Sequence, residues 1–486
     1  MKLSTRLLRS AILTLGCAKT LVAQQLTLPE QALALDDSLE IAVLSIHHAP
    51  ILDAKQVVIY QNKQYTLDVA LEAPTQNVHT LTTRTGKTYS LYLTELPLIQ
   101  ITSEQEIINE PKRMTRLSYI DADTLVTAYA GVELRGSSSL VFPKKTYDLN
   151  FYTDNTASHN LDLSLAGMRK DDDWILDAIH NEPLRMRSYL SYGLWNQIHQ
   201  PYYLKKEPKA RAGARVAYAE VFLNNRYKGL YLLSEQVDRK LLRIKKEKPN
   251  RIRGELFQGA RYLGGVTFDS LPQKKNYLPF WGGYDIKYPM PNNTPWDNIY
   301  RFTDFVISSD DTAFASAISD QFELDNAIDY FLFINALRAP DNLGKNLYVA
   351  RYDQKSPYFY VPWDLDGSFG TIFSGKRIAT TDDFLTNGLL RRLLAVNPEA
   401  FVARLQARWT ELRQSVLSEA VLLKKQEATY IYLLSHKIYE REQKAWPEVL
   451  YEKEGLDYMQ GWTRDRLSFL DSYIVRLATQ QPQAKE

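Results

Sequence analysis

From about residue 26 to 95 apolar and polar positions alternate with a period of two. The runs "SLEIAVLSIH", "QVVIYQNKQYTLDVAL" and "KTYSLYLTELPLIQI" carry it, with "QNKQ" and "RTGK" as breaks. Such alternation turns one strand face to a core and the other outward, and the Asn- and Gly-bearing breaks read as turns. A small antiparallel, sandwich-like accessory β domain is predicted over residues 26–95. Strand patterning continues in "TLVTAYAGVELRGSSSLVFPKKTYDLNFY", where a Gly-Ser turn separates two β runs and Pro143 opens the second. The period changes in "DDDWILDAIHNEPLRMRSYLSYGLWNQIH": Leu184, Tyr189, Leu190 and Leu194 recur at helical spacing, with Pro183 near a first turn. Strands return as a hairpin around Asn224-Asn225.

Pro, Gly and Asn cluster in "LPQKKNYLPFWGGYDIKYPMPNNTPW", which reads as a long surface segment or lid. From Trp296 the pattern is mostly helical. "ELDNAIDYFLFINALRA" predicts a buried helix that stops before Pro340, and amphipathic helices follow from Pro398 to about Leu477. Between them, "NLYVARYD" and "PYFYVPWD" predict a hairpin across "QKSP". The fold class expected is α+β, with a strand-rich lobe to about residue 290 and a mostly helical lobe after it.

The totals change this picture little. A chain of 486 residues accommodates two or three domains of about 100–200 residues each. A net charge of +2 supplies no basic excess to displace counterions, so no nucleic-acid partner is expected. The N-terminus "MKLSTRLLRSAILTLGCAKTLVAQQ" sets Lys2, Arg6 and Arg9 before a short apolar run, so residues 1–23 read as a signal peptide for export. "LTLGC" raises a lipid anchor at Cys17, although Thr14 stands where a Leu is usual. Cys17 is the single cysteine, so the remainder carries no disulfide, thiolate site or thiol nucleophile.

The predicted hairpin has chemistry at its open end. Asp341 follows the helix stop, Asn346 comes five positions later, and the returning strand delivers Asp364 and Asp366 in "WDLDGSFG". Asp and Asn also form turns, and alone each pair carries little. Together they make an all-oxygen set of the type that holds Mg²⁺ with one or two carboxylates, phosphate oxygens and water. Trp363 and Tyr358 read as core aromatics.

Six pieces in order, "RGSSSLVFPKKTYDLNF", "DDDWILDAIHNEPLRMRSYL", "AEVFLNNRYKGLYLLSEQVDR", "YDIKYP", "DNLGKNLYVARYD" and "YFYVPWDLDGSFG", resemble the spore-coat protein H (CotH) kinase-like family over about residues 95–370. The resemblance implies an atypical protein-kinase-like two-lobed fold over residues 96–480, preceded by the small N-terminal β domain. It implies transfer of phosphate from ATP to Ser/Thr of partner proteins, with Mg²⁺. By the same resemblance Asp341 is the catalytic carboxylate, and Asn346, Asp364 and Asp366 are metal ligands. Lys144 or Lys145 is the phosphate-facing lysine, Glu235 orients that lysine or touches nucleotide, and Arg187 reaches phosphate or makes a structural ion pair. One departure is Gln258 in "GELFQG", where many relatives carry Lys. A non-catalytic cell-surface or coat-assembly protein on a degenerate kinase-like scaffold is the alternative. A carbohydrate hydrolase using two carboxylates is a third reading, which leaves the Asn and the lysines idle. Export adds an expected association with the cell envelope.

Overall fold

A computed structural model describes residues 25–47, 56–67, 75–249, 251–275, 278–289, 296–449 and 451–479. The expected signal peptide and Cys17 lie outside them.

The first alternating runs form strands as their periodicity predicts. They join one hydrogen-bonded sheet of seven strands, where an antiparallel sandwich was expected. Ile41–Ser45 runs parallel to Thr88–Thr94, and Gln25–Thr27 parallel to Gln56–Tyr60, so the sheet is mixed. Period-two patterning fixes which face is buried but carries no information on strand direction or partner. The apolar face of this sheet packs onto Leu98, Ile120, Phe222 and Tyr227 of the next unit.

That unit is a closed barrel. Its strands run in the order Leu125–Arg135, Thr146–Tyr152, Asp173–Asp177, Arg226–Glu235, Val216–Leu223, Leu98–Thr102, Arg113–Ile120. Closure leaves no unpaired edge, and inward residues such as Val132, Leu149, Trp174 and Leu233 fill the interior. The Asn224-Asn225 turn is as expected, both residues having positive φ. The helix expected near Pro183 begins at Arg187 and runs to Ile198.

The predicted hairpin is present, with Leu347 opposite Pro362 and Arg351 opposite Tyr358. Its first strand pairs antiparallel with Glu255–Gly259, which in turn pairs with Tyr284–Tyr288. Part of the Pro/Gly/Asn-rich segment expected as a lid is therefore the outer edge of a five-stranded sheet. Residues 276–277 and 290–295 of it lie outside the described residues.

The helix Leu324–Leu337 packs against the hairpin strand Tyr358–Pro362 and against helices on its other sides. All but one of its residues are buried. Each buried Leu, Ile or Phe contributes about 1.5–3 kcal/mol relative to an exposed position. Its polar members are buried with partners, as they must be. Asn326 serves Tyr360 on both backbone groups, Asp329 meets His199 and Arg408, and Asn335 caps Leu385 and receives Arg466. This rigid helix is the platform from which the site is hung.

Candidate active site

The platform helix ends because Pro340 has no N–H and disfavours helical backbone before it. Arg338 turns left-handed at φ 48° and Ala339 N–H closes on Ile334 O at 2.9 Å. Arg338 also grips both carboxylate oxygens of Asp383. A 3₁₀ turn, Pro340–Leu343, then presents Asp341.

Buried Asn342 fastens this loop to the far end of the hairpin by donating to the carbonyls of Asn346 and, at 2.9 Å, Trp363. Trp363 N–H donates to Asn346 O at 3.0 Å, and Asn346 Nδ2 to Asp364 O at 3.3 Å. Asn346 and Asp364 both lie in the left-handed region, at φ 55° and 52°. Asn and Asp tolerate it best among residues with a Cβ. Tyr192 Oη accepts the Asp364 N–H at 3.1 Å, and buried Arg187 donates to Ser368 O at 3.1 Å behind the turn.

These residues floor a cleft of about 700 Å³, of the size that takes a small ligand or cofactor. Asp341, Lys345, Asn346, Asp364 and Asp366 line one wall. Arg135, Gly136, Ser139, Lys144, Asp177, His180 and Asn181 of the barrel side line the other, and Gln258 and Asp285 close an end. Gly136 is at φ 121°, and a Cβ there would fall 1.9 Å from Ser139 Oγ, so the Gly-Ser turn at the rim requires glycine.

The carboxylates feel one another. Asp364 is exposed to the cleft, and desolvation by the protein lining the cleft pushes its pKa up to about 6, with Asp177 adding repulsion and Arg135 and Lys345 opposing. Desolvation, then Asp364, drives Asp366 well above the usual carboxylate range. Asp366 accepts from Gly367 N–H at 2.7 Å and from Asn181 Nδ2, so both its oxygens are engaged. Among the described residues the Asp364 carboxylate makes no hydrogen bond or ion pair, nor does the Lys345 ammonium. Asn346 uses its amide nitrogen on Asp364 O, which leaves Oδ1 for another group.

This donor set fits a hard divalent cation: an unengaged carboxylate, an amide oxygen and unengaged positive charge for an anionic ligand. Asp366 fits less well, being already satisfied. Asp341, Asp364 and Asp366 share the cleft without closing into a cluster. Among the described residues the carboxylate trio mutually within 4.8 Å is Asp162, Asp171 and Asp172, outside the cleft, of which Asp171 and Asp172 pair with Lys240.

Four expected nucleotide-binding side chains are placed differently. Lys144 lines the cleft, but its ammonium is buried between Leu230 O and Glu442, at 2.7 Å from the latter. Lys145 turns to Leu140 O. Glu235 does not orient either lysine: it accepts the N–H groups of Arg169 and Arg215 at the far end of its strand. Arg187 makes a backbone hydrogen bond under the Asp-Gly turn and lies outside the cleft lining. Trp363 and Tyr358 are buried, as core aromatics should be.

Sequence reasoning passed over Lys345, Arg135 and Asp177. Lys345 was legible, sitting between Asp341 and Asn346 in "DNLGKN". Asp177 ends a strand and needed the barrel to aim it.

The family model described as CotH kinase protein matches residues 132–470. The inner spore coat protein H of Bacillus subtilis (strain 168) is 24% identical over 250 residues, 51% of this chain and 61% of that protein. The chain thus spans less than two thirds of the length of that curated relative. No helix among the described residues is long and apolar enough to cross a membrane. With the match covering the greater part of the barrel, the hairpin and the C-terminal helices, the chain belongs to the CotH kinase protein family, a kinase-like group.

Proposed function

We propose that this protein is a Mg²⁺-dependent atypical kinase that transfers the γ-phosphate of ATP to Ser/Thr of a partner protein of the surface or coat. The barrel and the helical part then act as the two lobes of a kinase-like fold, with the nucleotide between them. The observation that carries the reading is the hairpin closure that sets Asp341, Asn346 and Asp364 on one cleft wall with the unengaged ammonium of Lys345.

Asp341 is the group that accepts the proton of the acceptor hydroxyl. The acceptor oxygen forms a bond to the γ-phosphorus as the bond from phosphorus to the β,γ-bridging oxygen breaks, and ADP departs with that electron pair. Asn346 and Asp364 would hold Mg²⁺, which supplies charge neutralisation to the phosphates when bound. Lys345 and Arg135 add positive charge where relatives place a Lys at the position of Gln258. Lys144, paired with Glu442, fixes the barrel wall of the cleft. Most of the rate enhancement in such a site comes from positioning and electrostatics.

The test is transfer of labelled γ-phosphate to the protein itself or to surface proteins, with Asp341→Asn as control. Equal transfer by that variant would sink the assignment. Absence of transfer by the unaltered protein, with Mg·ATP still bound, would favour the non-catalytic scaffold, for which Gln258 is the supporting observation. Export and envelope association belong to the same proposal, and the relative's name places that protein in the inner spore coat.

A further inference from the structure

Two stretches at the turn end of the hairpin, where Lys245 N–H donates to Tyr352 O and Arg253 pairs with Asp353, are strongly basic. Residues 205–215 and 239–253 hold thirteen Lys and Arg against two Glu in a chain whose net charge is +2. The fold stitches them into one surface. Lys245 pairs with Glu207, Arg211 N–H donates to Leu241 O at 3.2 Å, and Tyr203 Oη donates to Leu242 O at 2.7 Å. Lys205, Lys206, Lys209, Arg211, Arg243, Lys246 and Lys248 are exposed, and among the described residues their side chains make no hydrogen bond or ion pair. Like charges held this close repel, and a bound polyanion relieves that repulsion.

The surface is joined to the cleft. A groove of about 530 Å³ shares Arg135 and Gln258 with the cleft and runs past Tyr288 and Tyr348 to Arg239 and Lys240. Glu247 N–H donates to Tyr288 Oη, and the Arg239 guanidinium lies 5.8 Å from the Tyr288 ring centre, which ties the basic stretch to the groove. A bilayer is a plane and meets only the outer cations. A polypeptide can lie across them and enter the groove.

We infer that this basic surface docks an acidic segment of the polypeptide whose hydroxyl enters the cleft. As a statement about an acceptor it rests on the kinase reading; as a statement about binding it stands without it.

The experiment uses the full chain, fluorescence anisotropy and a labelled deca-glutamate peptide, with deca-serine, phosphatidylserine vesicles and a single-stranded DNA oligonucleotide as comparators. The unaltered protein is expected to bind deca-glutamate more tightly than each comparator, with affinity falling as salt rises. The fourfold variant Lys205→Glu, Lys206→Glu, Lys246→Glu, Lys248→Glu is expected to weaken it by about tenfold or more. Should that variant fold poorly, the same four positions changed to Gln give the same reading with smaller effect. Deca-glutamate binding no tighter than deca-serine, or unaffected by either variant, overturns the inference. Tighter binding of vesicles or oligonucleotide overturns the choice of partner. A Mg·ATP thermal shift recorded on the same samples separates the two claims: peptide binding without that shift supports the docking surface and removes the kinase reading.

Discussion

The ammonium of Lys144 and the carboxylate of Glu442 lie 2.7 Å apart in the interior, joining a barrel strand's leading loop to a helix 298 residues later. Glu442 also receives Arg185 Nε at 3.2 Å and Leu230 N–H. Despite burial, the two cations hold the Glu442 carboxyl below its ordinary range, while burial lowers the Lys144 pKa to about 8. One carboxylate thus serves two buried cations. Glu442→Gln, which strands both, is expected to cost about 3–5 kcal/mol, and Lys144→Met clearly less because Arg185 still neutralises Glu442. Urea denaturation of the two variants checks the order.

Gly229 lets that helix approach. It sits at φ +94°, and a Cβ built on it would lie 2.9 Å from Glu442 Cδ. Gly229→Ala should therefore lose about 1–3 kcal/mol, by backbone strain together with displacement of Glu442. A melting temperature equal to that of the unaltered protein would show that the helix can dock without this close approach.

Asp341 and Asp364 are separable by assay. Asp364→Ala should abolish the thermal shift produced by Mg·ATP, since it removes the unengaged carboxylate of the cleft. Asp341→Asn should keep that shift and lower phosphate transfer by about 10²–10⁴-fold, the range of a lost general base. Loss of the shift in both variants, or in neither, would contradict the division of roles.

Lys345 should matter to the phosphates and little to the fold, because its ammonium has no partner among the described residues. Lys345→Gln is expected to weaken Mg·ATP binding or transfer by about tenfold or more, the effect of removing one positioned charge. Its melting temperature without ligand should match that of the unaltered protein.

Stability should favour mild acid. Burial raises the pKa of Asp173 and Glu182 to about 7, from ordinary values of 3.8 and 4.5. Across that window the folded chain holds protons that the unfolded chain has released. Their contribution is complete below the unfolded values and is lost as pH rises through about 7. His180 works in the opposite sense, its pKa pushed down to about 4 by burial and then Arg185, and it favours the folded state as pH rises. Two groups outweigh one, so the ligand-free melting temperature should be higher near about pH 5.5 than near about 7.5. A maximum above neutrality would refute this balance.

Much of the fold was legible because it is written in neighbouring residues. Period-two runs gave the barrel strands and the hairpin, Pro340 stopped the platform helix, and the left-handed positions fell on Asn346 and Asp364. The order Asp341, Asn346, Asp364 around a hairpin located one wall of the cleft. These features depend on backbone preference and local periodicity, which act over a few residues.

The chain order alone left several things undecided: parallel pairing in the N-terminal sheet, closure of the barrel, and the destinations of the charged side chains. Glu235, Lys145 and Arg187 went to structural contacts, while Lys345, Arg135 and Asp177 came to the cleft. A charge is free or engaged according to what is packed beside it, and for Lys144 that neighbour is Glu442, which only the assembled tertiary structure brings into reach.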